Sequence, residues 1–476
     1  MSVTSHHDVL VLGSGPGASV LATVLARAGS DVLVVGEDTH PRYRQGETST
    51  PFLSWLLRLL SARYDVPEFA HLAAYDTARE QVSRRVGVER SIGFAQGGRE
   101  RRTALPRAAA GALLYRQDVD AHLFHTAALH GARVRQQAKV VKAEVTADQV
   151  LVTTARGETF SARFLVDASG RDSAALAALG AEVREGAAAD GPRTRTVHTH
   201  LIETGLPAAD GTTHHLFDGG WLTVTPFTGG GVNPVTGVRF TVDADRFEQD
   251  EDPEREFRAL LERVPELRPG RIAPVQPWHS TGVQQYAREQ RAGDRWFALG
   301  ASAGFTDPFL AGELVHELQV VNALAWRLIK ALAADDLRGT YFAEVAALDE
   351  RLRSAQATLV ADFLGAGADP ARLDRFVERW ELAGFYATLR LRDAVVSLPG
   401  SDGPALAYEG LVPDDDLETL RKVTPPAFRS GMTALREPGR GLTAVGRLRA
   451  AARTSPSPEI QRLLLAATPD LVRGRL

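Results

Sequence analysis

The 476-residue chain contains no cysteine, so disulfides, thiolate metal sites and cysteine nucleophiles are excluded. Lysine is nearly missing too: only Lys139, Lys142, Lys330 and Lys422 contribute to the 55 basic residues, and arginine supplies the rest. No run reaches the roughly 18 apolar residues a membrane-spanning helix needs. Net charge is −4, too small to favour nucleic acid or an anionic membrane. The first strand-like run begins within the opening ten residues, leaving no stretch that reads as a signal peptide, so a cytoplasmic location is expected. At 44% hydrophobic and 24% charged, the composition is that of a globular protein of two or three domains.

What is present is concentrated first in residues 8–38. Val9–Leu12 is a short apolar run ended by glycine, Val20 to Ala28 carries apolar residues at helical spacing, and Val32–Val35 is a second apolar run. Gly13, Gly15, Pro16, Gly17 and Ala18 lie in the turn between strand and helix and fit G-x-G-x-x-A. This is a βαβ unit with a dinucleotide fingerprint: Gly13 for the tight turn, Gly15 for close approach of a pyrophosphate, Ala18 for helix–strand packing. Free N–H groups at the helix start suit phosphates. The acid that holds the ribose normally ends the second strand, where Gly36 stands, so Glu37 or Asp38 must serve.

Pro41-Arg-Tyr-Arg-Gln-Gly46-Glu47-Thr48 is polar enough to hold ligand hydroxyls or phosphates, or to be a surface connection, and Thr48 or Ser49 can cap a helix over 52–60. A helix runs from Tyr115 to Leu129 with Asp118 as its cap, then a hairpin spans 132–154 and a strand leads into Asp167-Ala-Ser-Gly170. Residues 194–242 alternate as antiparallel strands, and a helix is expected over 245–264. Trp296 to Gly312 reads as strand, glycine loop with Gly300, Asp307 and Pro308, then a helix over 313–334. The expected fold is α/β: a Rossmann-type FAD-binding domain (1–185 and 282–335), an inserted, mainly antiparallel β substrate domain (186–281) and a C-terminal helical region (336–476).

Taken in order, Gly13–Ala18, Gly46-Glu47-Thr48, Arg116, Asp167–Arg171 and Ala303–Pro308 resemble the FAD-dependent halogenase and monooxygenase superfamily, over residues 6–335. Within it, Pro41–Thr48 and Ala303–Phe309 look most like flavin-dependent halogenases. The resemblance implies FAD as cofactor. Gly13, Gly15 and Ala18 would line the pyrophosphate, Glu37 would lie near the ribose, and Gly46, Glu47, Thr48 and Arg116 would touch ribityl and phosphate groups. Asp167 and Gly170 would belong to the FAD domain, with Asp307, Pro308 and Gly312 around the isoalloxazine. There are departures: Ala301 replaces the aspartate of Gly-Asp-Ala unless Ser302 or Thr306 substitutes, and Trp221 to Pro226 keeps only the first Trp and the Pro of Trp-x-Trp-x-Ile-Pro. The family's lysine maps onto Glu89, with Arg90 beside it.

The expected function is FAD-dependent monooxygenation of a small, aromatic or natural-product substrate through a flavin hydroperoxide. Halogenation is the alternative, and a non-catalytic binding protein with a degenerate flavin site is an alternative of another class. Acid–base candidates are Glu89, His279, Glu313 and His316, with His198 and His200 more readily explained by packing. Trp221, Phe227, Trp278 and Phe309 suit either an aromatic pocket or the core. No metal is expected. Partners are a small molecule and a flavin reductase, since one dinucleotide unit is found, and the chain is expected to be a monomer or homodimer.

Overall fold

The computed structural model describes residues 5–472, apart from 105–110, 186–190, 203–205, 207–209, 228–233, 268, 269, 271, 398–408, 411–448 and 451. Lys422 and most of residues 398–448, within the expected C-terminal helical region, lie outside the described residues.

The strand Ser5–Leu12 is central to a parallel sheet, because its last four residues are apolar and buried, with a packed core against each face. Val32–Val35 pairs with it on one edge and Thr159–Asp167 on the other, in the order Arg133–Arg135, Val32–Val35, Ser5–Leu12, Thr159–Asp167, Trp296–Ala298. The helix Pro16–Arg27 opens with proline, whose fixed φ suits the first turn. It packs with the helices Pro51–Tyr64 and Gly312–Ala334 over one face of that sheet. The strands Val140–Val145 and Val150–Thr154 form a hairpin on its other face. Two positions depart from the sequence reading here. Thr50, not Thr48 or Ser49, caps the helix at 51 by accepting from the Leu53 N–H, because Pro51 fixes the first helical turn. Tyr115 precedes the helix Arg116–Leu129, and Asp118 sits in its first turn, accepting from the Ser83 hydroxyl.

The second sheet runs in the order Ala273–Pro274, Thr194–Ile202, Val235–Asp243, Gly220–Phe227, Thr213–Phe217, Ser91–Gln96, Arg99–Ala104. The hairpin 91–104 therefore joins this sheet, not the FAD-binding part to which its place in the chain assigns it: Ser91–Gln96 pairs in parallel with Thr213–Phe217. One face of the sheet packs Val197, Val238, Phe240 and Val242 against the helix Pro253–Leu261. That helix is shorter than 245–264, because Asp252 caps it and Pro253 starts it. The other face meets the turn Phe309–Ala311 and the helices Ala343–Ala366 and Pro370–Ser397, which bring Phe363, Phe376 and Trp380 onto Phe94, Trp221 and Phe309. Trp221 and Phe309 are fully buried there, so they are core. Trp278 packs on Phe257, and Phe227 on Tyr115.

Candidate active site

The first turn of the helix Pro16–Arg27 lies against the helix Gly312–Ala334 near the start of each. Just ahead of the first helix, Gly13 adopts φ +96°, and a Cβ on it would lie 2.2 Å from the Ala168 carbonyl oxygen. The helix beginning at Pro16 has no side-chain cap and no acid in its own first turn, so its N–H groups are left for acceptors from elsewhere. One carboxylate has taken that place. Glu317, from the second helix, lies so close that a Cβ on Gly17 would fall 2.3 Å from its Cδ, and it also covers Gly300. Burial raises its pKa to about 7, while Arg116 and the Gly17 N–H oppose the rise. Its side chain remains partly accessible. The Gly17 N–H thus already receives a carboxylate oxygen, the kind of acceptor a helix N-terminus favours. Sequence reading missed Glu317; its only signal was its place one turn after Glu313.

Gly46 has φ +98°, and its carbonyl and that of Gln45 accept from Arg116. Arg116 is also held in a two-point pair by Asp120, at 2.6 and 3.0 Å. Glu47 is buried and accepts from His200 Nε2 at 2.9 Å; that carboxylate outweighs burial and raises the His200 pKa. Thr48 is buried beside them. Glu37 is exposed and pairs with Lys139 at 3.1 Å, while Asp38 pairs with Arg42 at 2.6 Å. Asp167 is fully buried: it accepts from the Ser169 and Ser302 hydroxyls at 2.7 and 2.8 Å and from the Ser173 hydroxyl at 2.5 Å. Ser302 thus faces Asp167 and Gly170, and does not replace the carboxylate lost at Ala301.

The loop before the second helix is strained. Leu310 and Ala311 are consecutive left-handed residues at φ +53° and +61°. Asp307 Oδ1 accepts from the Phe309 N–H at 2.8 Å, and Gln356, another residue sequence reading missed, donates to the Asp307 and Phe309 carbonyls at 2.9 and 3.1 Å. Pro308 starts the turn, and Gly312 leaves room for the Gln356 amide. Glu313 accepts from the Thr306 N–H at 3.0 Å, and burial raises its pKa. His316 Nε2 meets Asp349 Oδ1 at 2.9 Å. Asp349 also holds Arg353 and Arg291, and those charges with His316 outweigh burial and keep its pKa at about 2. His316 and Gln319 line a cavity of about 30 Å³ closed by Leu310 and Trp380.

The four acid–base candidates are not brought together. Glu313 and His316 share the helix beside the strained loop. His279 is exposed on the sheet edge, stacked on Tyr43 and His198 at 5.1 and 5.3 Å. Burial holds His198 neutral, with a pKa of about 3. Glu89 is completely buried, its oxygens 2.6 Å from the Thr212 N–H and 2.9 Å from the Thr212 hydroxyl. Burial pushes its pKa from 4.5 to about 8. The folded chain therefore keeps a proton here that the unfolded chain releases above pH 4.5, and this group's contribution to stability falls as pH rises from 4.5 to 8. Glu89→Gln, which keeps the shape, is expected to be more stable than the parent at pH 8 by on the order of 2–4 kcal/mol and equal near pH 4. Thermal unfolding of both proteins across that range checks this; identical pH slopes would refute it.

Residues 6–355 match the family model described as an FAD binding domain. The chain belongs to the FAD-dependent halogenase and monooxygenase superfamily. Tetracycline 7-halogenase of Kitasatospora aureofaciens is 32% identical over 73% of this chain and 67% of its own. Monodechloroaminopyrrolnitrin halogenase PrnC of Pseudomonas fluorescens is 30% identical over 82% and 73%. The crystal structure of halogenase PltM in complex with phloroglucinol and FAD superposes with a TM-score of 0.79, at 25% identity over 96% of this chain and 98% of that one. FAD is the cofactor of this superfamily fold, and among the described residues no helix is long and apolar enough to cross a membrane.

Proposed function

We propose that this chain is a flavin-dependent halogenase that uses reduced FAD, supplied by a separate reductase, to modify a small aromatic molecule. The observation that supports this most is its identity to two halogenases across most of its length, which favours halogenation over the hydroxylation or epoxidation expected first from sequence. Bound FAD would supply activation of oxygen by two electrons. The glycine turn and the helix at Pro16 would hold its phosphates, with Arg116 beside them and Asp307 to Gly312 shaping the pocket for its ring. Glu313 and His316 are proposed to handle protons there, His316 being held by Asp349. The second sheet would offer the substrate a face lined by Tyr43, His198 and His279.

A second reading, oxygen transfer, is favoured by one specific observation. Glu89 stands at the position the resemblance gives to the halogenase lysine, and it is locked on Thr212. No described lysine replaces it: Lys139 and Lys142 pair with Glu37 and Glu144, and Lys330 lies on the Trp326 ring. The deciding experiment incubates the protein with FAD, a flavin reductase, NADH, oxygen, bromide and a panel of phenols including phloroglucinol, and reads product mass. A bromine isotope doublet is the expected result. Gain of one oxygen without the doublet would replace it with the second reading, and unchanged phenols throughout would overturn both.

A further inference from the structure

The strand Val235–Asp243 carries one charged side chain that its surroundings leave unanswered. Arg239 sits in the middle of the second sheet, opposite His198 on one neighbour and Thr223 on the other. Its flanking residues Val238 and Phe240 point into the apolar layer beneath, so Arg239 points to the opposite face of the sheet. It is 8% exposed, and its Nε has no hydrogen-bond partner. The carboxylates whose charge reaches it are Asp307 and Glu47. Both are engaged elsewhere: Asp307 accepts from the Phe309 N–H at 2.8 Å and the Thr194 hydroxyl at 3.3 Å, and Glu47 from His200 at 2.9 Å. A guanidinium stays charged even when burial opposes it, and a buried cation without a close partner costs several kcal/mol.

Resting on the proposed reading of this face as a substrate site, we propose that Arg239 receives an acidic oxygen of the substrate, a carboxylate or ionised phenol on an aromatic ring. The planar guanidinium presents paired donors that match an oxyanion better than a spherical halide. The aromatic part has a platform nearby. Tyr43 stacks on His279, which stacks on His198, the residue directly across the ladder from Arg239. Arg239 in turn helps hold His198 neutral, so the ring beside the anion is an uncharged surface.

The test uses FAD-reconstituted protein and two probes of one shape, benzoate and benzamide, with affinities measured by calorimetry. Benzoate is expected to bind the parent at least about tenfold more tightly than benzamide. Arg239→Gln should remove that preference, and Arg239→Lys should retain part of it. Thermal melts and FAD content of each variant establish that it is folded. Should Arg239→Gln not fold, the probe preference of the parent and of Arg239→Lys still decides. Equal affinity for the two probes, or no benzoate binding, overturns the proposal. So does bromide that displaces benzoate and is itself lost in Arg239→Gln, which would make this a halide site. Benzoate bound only by FAD-free protein would also overturn it, placing the arginine against the flavin. If no FAD binds at all but benzoate still depends on Arg239, the anion site stands and the flavin reading falls.

Discussion

Gly13→Val is expected to yield a poorly folded chain that retains no FAD, whereas Gly15→Ala folds normally and still loses the cofactor. The two glycines differ physically. Gly13 is at φ +96°, a region costly for a β-branched residue, and its added Cβ would lie 2.2 Å from a main-chain oxygen. The backbone cannot retreat, since Gly13 N–H donates to Val35 at 2.8 Å and Ala168 N–H to Leu12 at 2.8 Å. Strain and overlap together are expected to cost more than about 4 kcal/mol. Gly15 has φ −71°, and nothing lies within 4 Å of an added Cβ. Only a bound pyrophosphate would meet that methyl group, so Gly15→Ala should keep the parent's melting temperature and weaken FAD by at least about tenfold. Unchanged FAD affinity in Gly15→Ala would remove the phosphates from this turn.

Asp349→Ala is expected to destabilise the chain by about 3–5 kcal/mol, because it leaves Arg353, Arg291 and His316 without their shared carboxylate in a buried place. Denaturant unfolding measures this, and a loss below about 1 kcal/mol would contradict it. The parent carries the matching pH signature. Asp349 is held at about 2, below its ordinary 3.8, so its stabilisation is present above pH 3.8 and is lost as pH falls toward 2. The acid limb of the stability curve should therefore flatten in Asp349→Ala. Because the same carboxylate orients His316, an active preparation of the variant should also lose turnover.

The glycine turn was legible in the sequence because its chemistry is local: a short apolar strand, a glycine-bounded turn and a helical period fall within thirty residues. Asp167 reads in the same way, at the end of an apolar strand, whereas Asp307 lies in a glycine loop and is singled out only by the family resemblance. What sequence did not disclose depends on partners far along the chain. Ser91–Gly98 carries the pattern of a strand and turn, yet nothing local says that a second strand, Arg99–Ala104, follows or that Ser91–Gln96 pairs with Thr213–Phe217. Gln356 reaches the Asp307 carbonyl from a helix that begins 36 residues after it. Glu317 acquires meaning only when its helix crosses the first one and brings it to Gly17. Arg239 looks like any outward arginine in an alternating strand until the other elements bury it. His279 likewise depends on distant partners: it stacks on Tyr43 and His198 at an exposed edge of the sheet.

The central claim is that one FAD lies across the two helix N-termini, at Pro16 and Gly312. Its most direct test is to reconstitute the purified chain with excess FAD, remove the free cofactor, denature the protein and quantify the released flavin beside Gly15→Ala treated identically. The account predicts one FAD per parent chain and a strongly reduced yield from the variant, with no retention of NAD in a parallel sample. Release of no flavin from the parent, or equal release from both proteins, would contradict it.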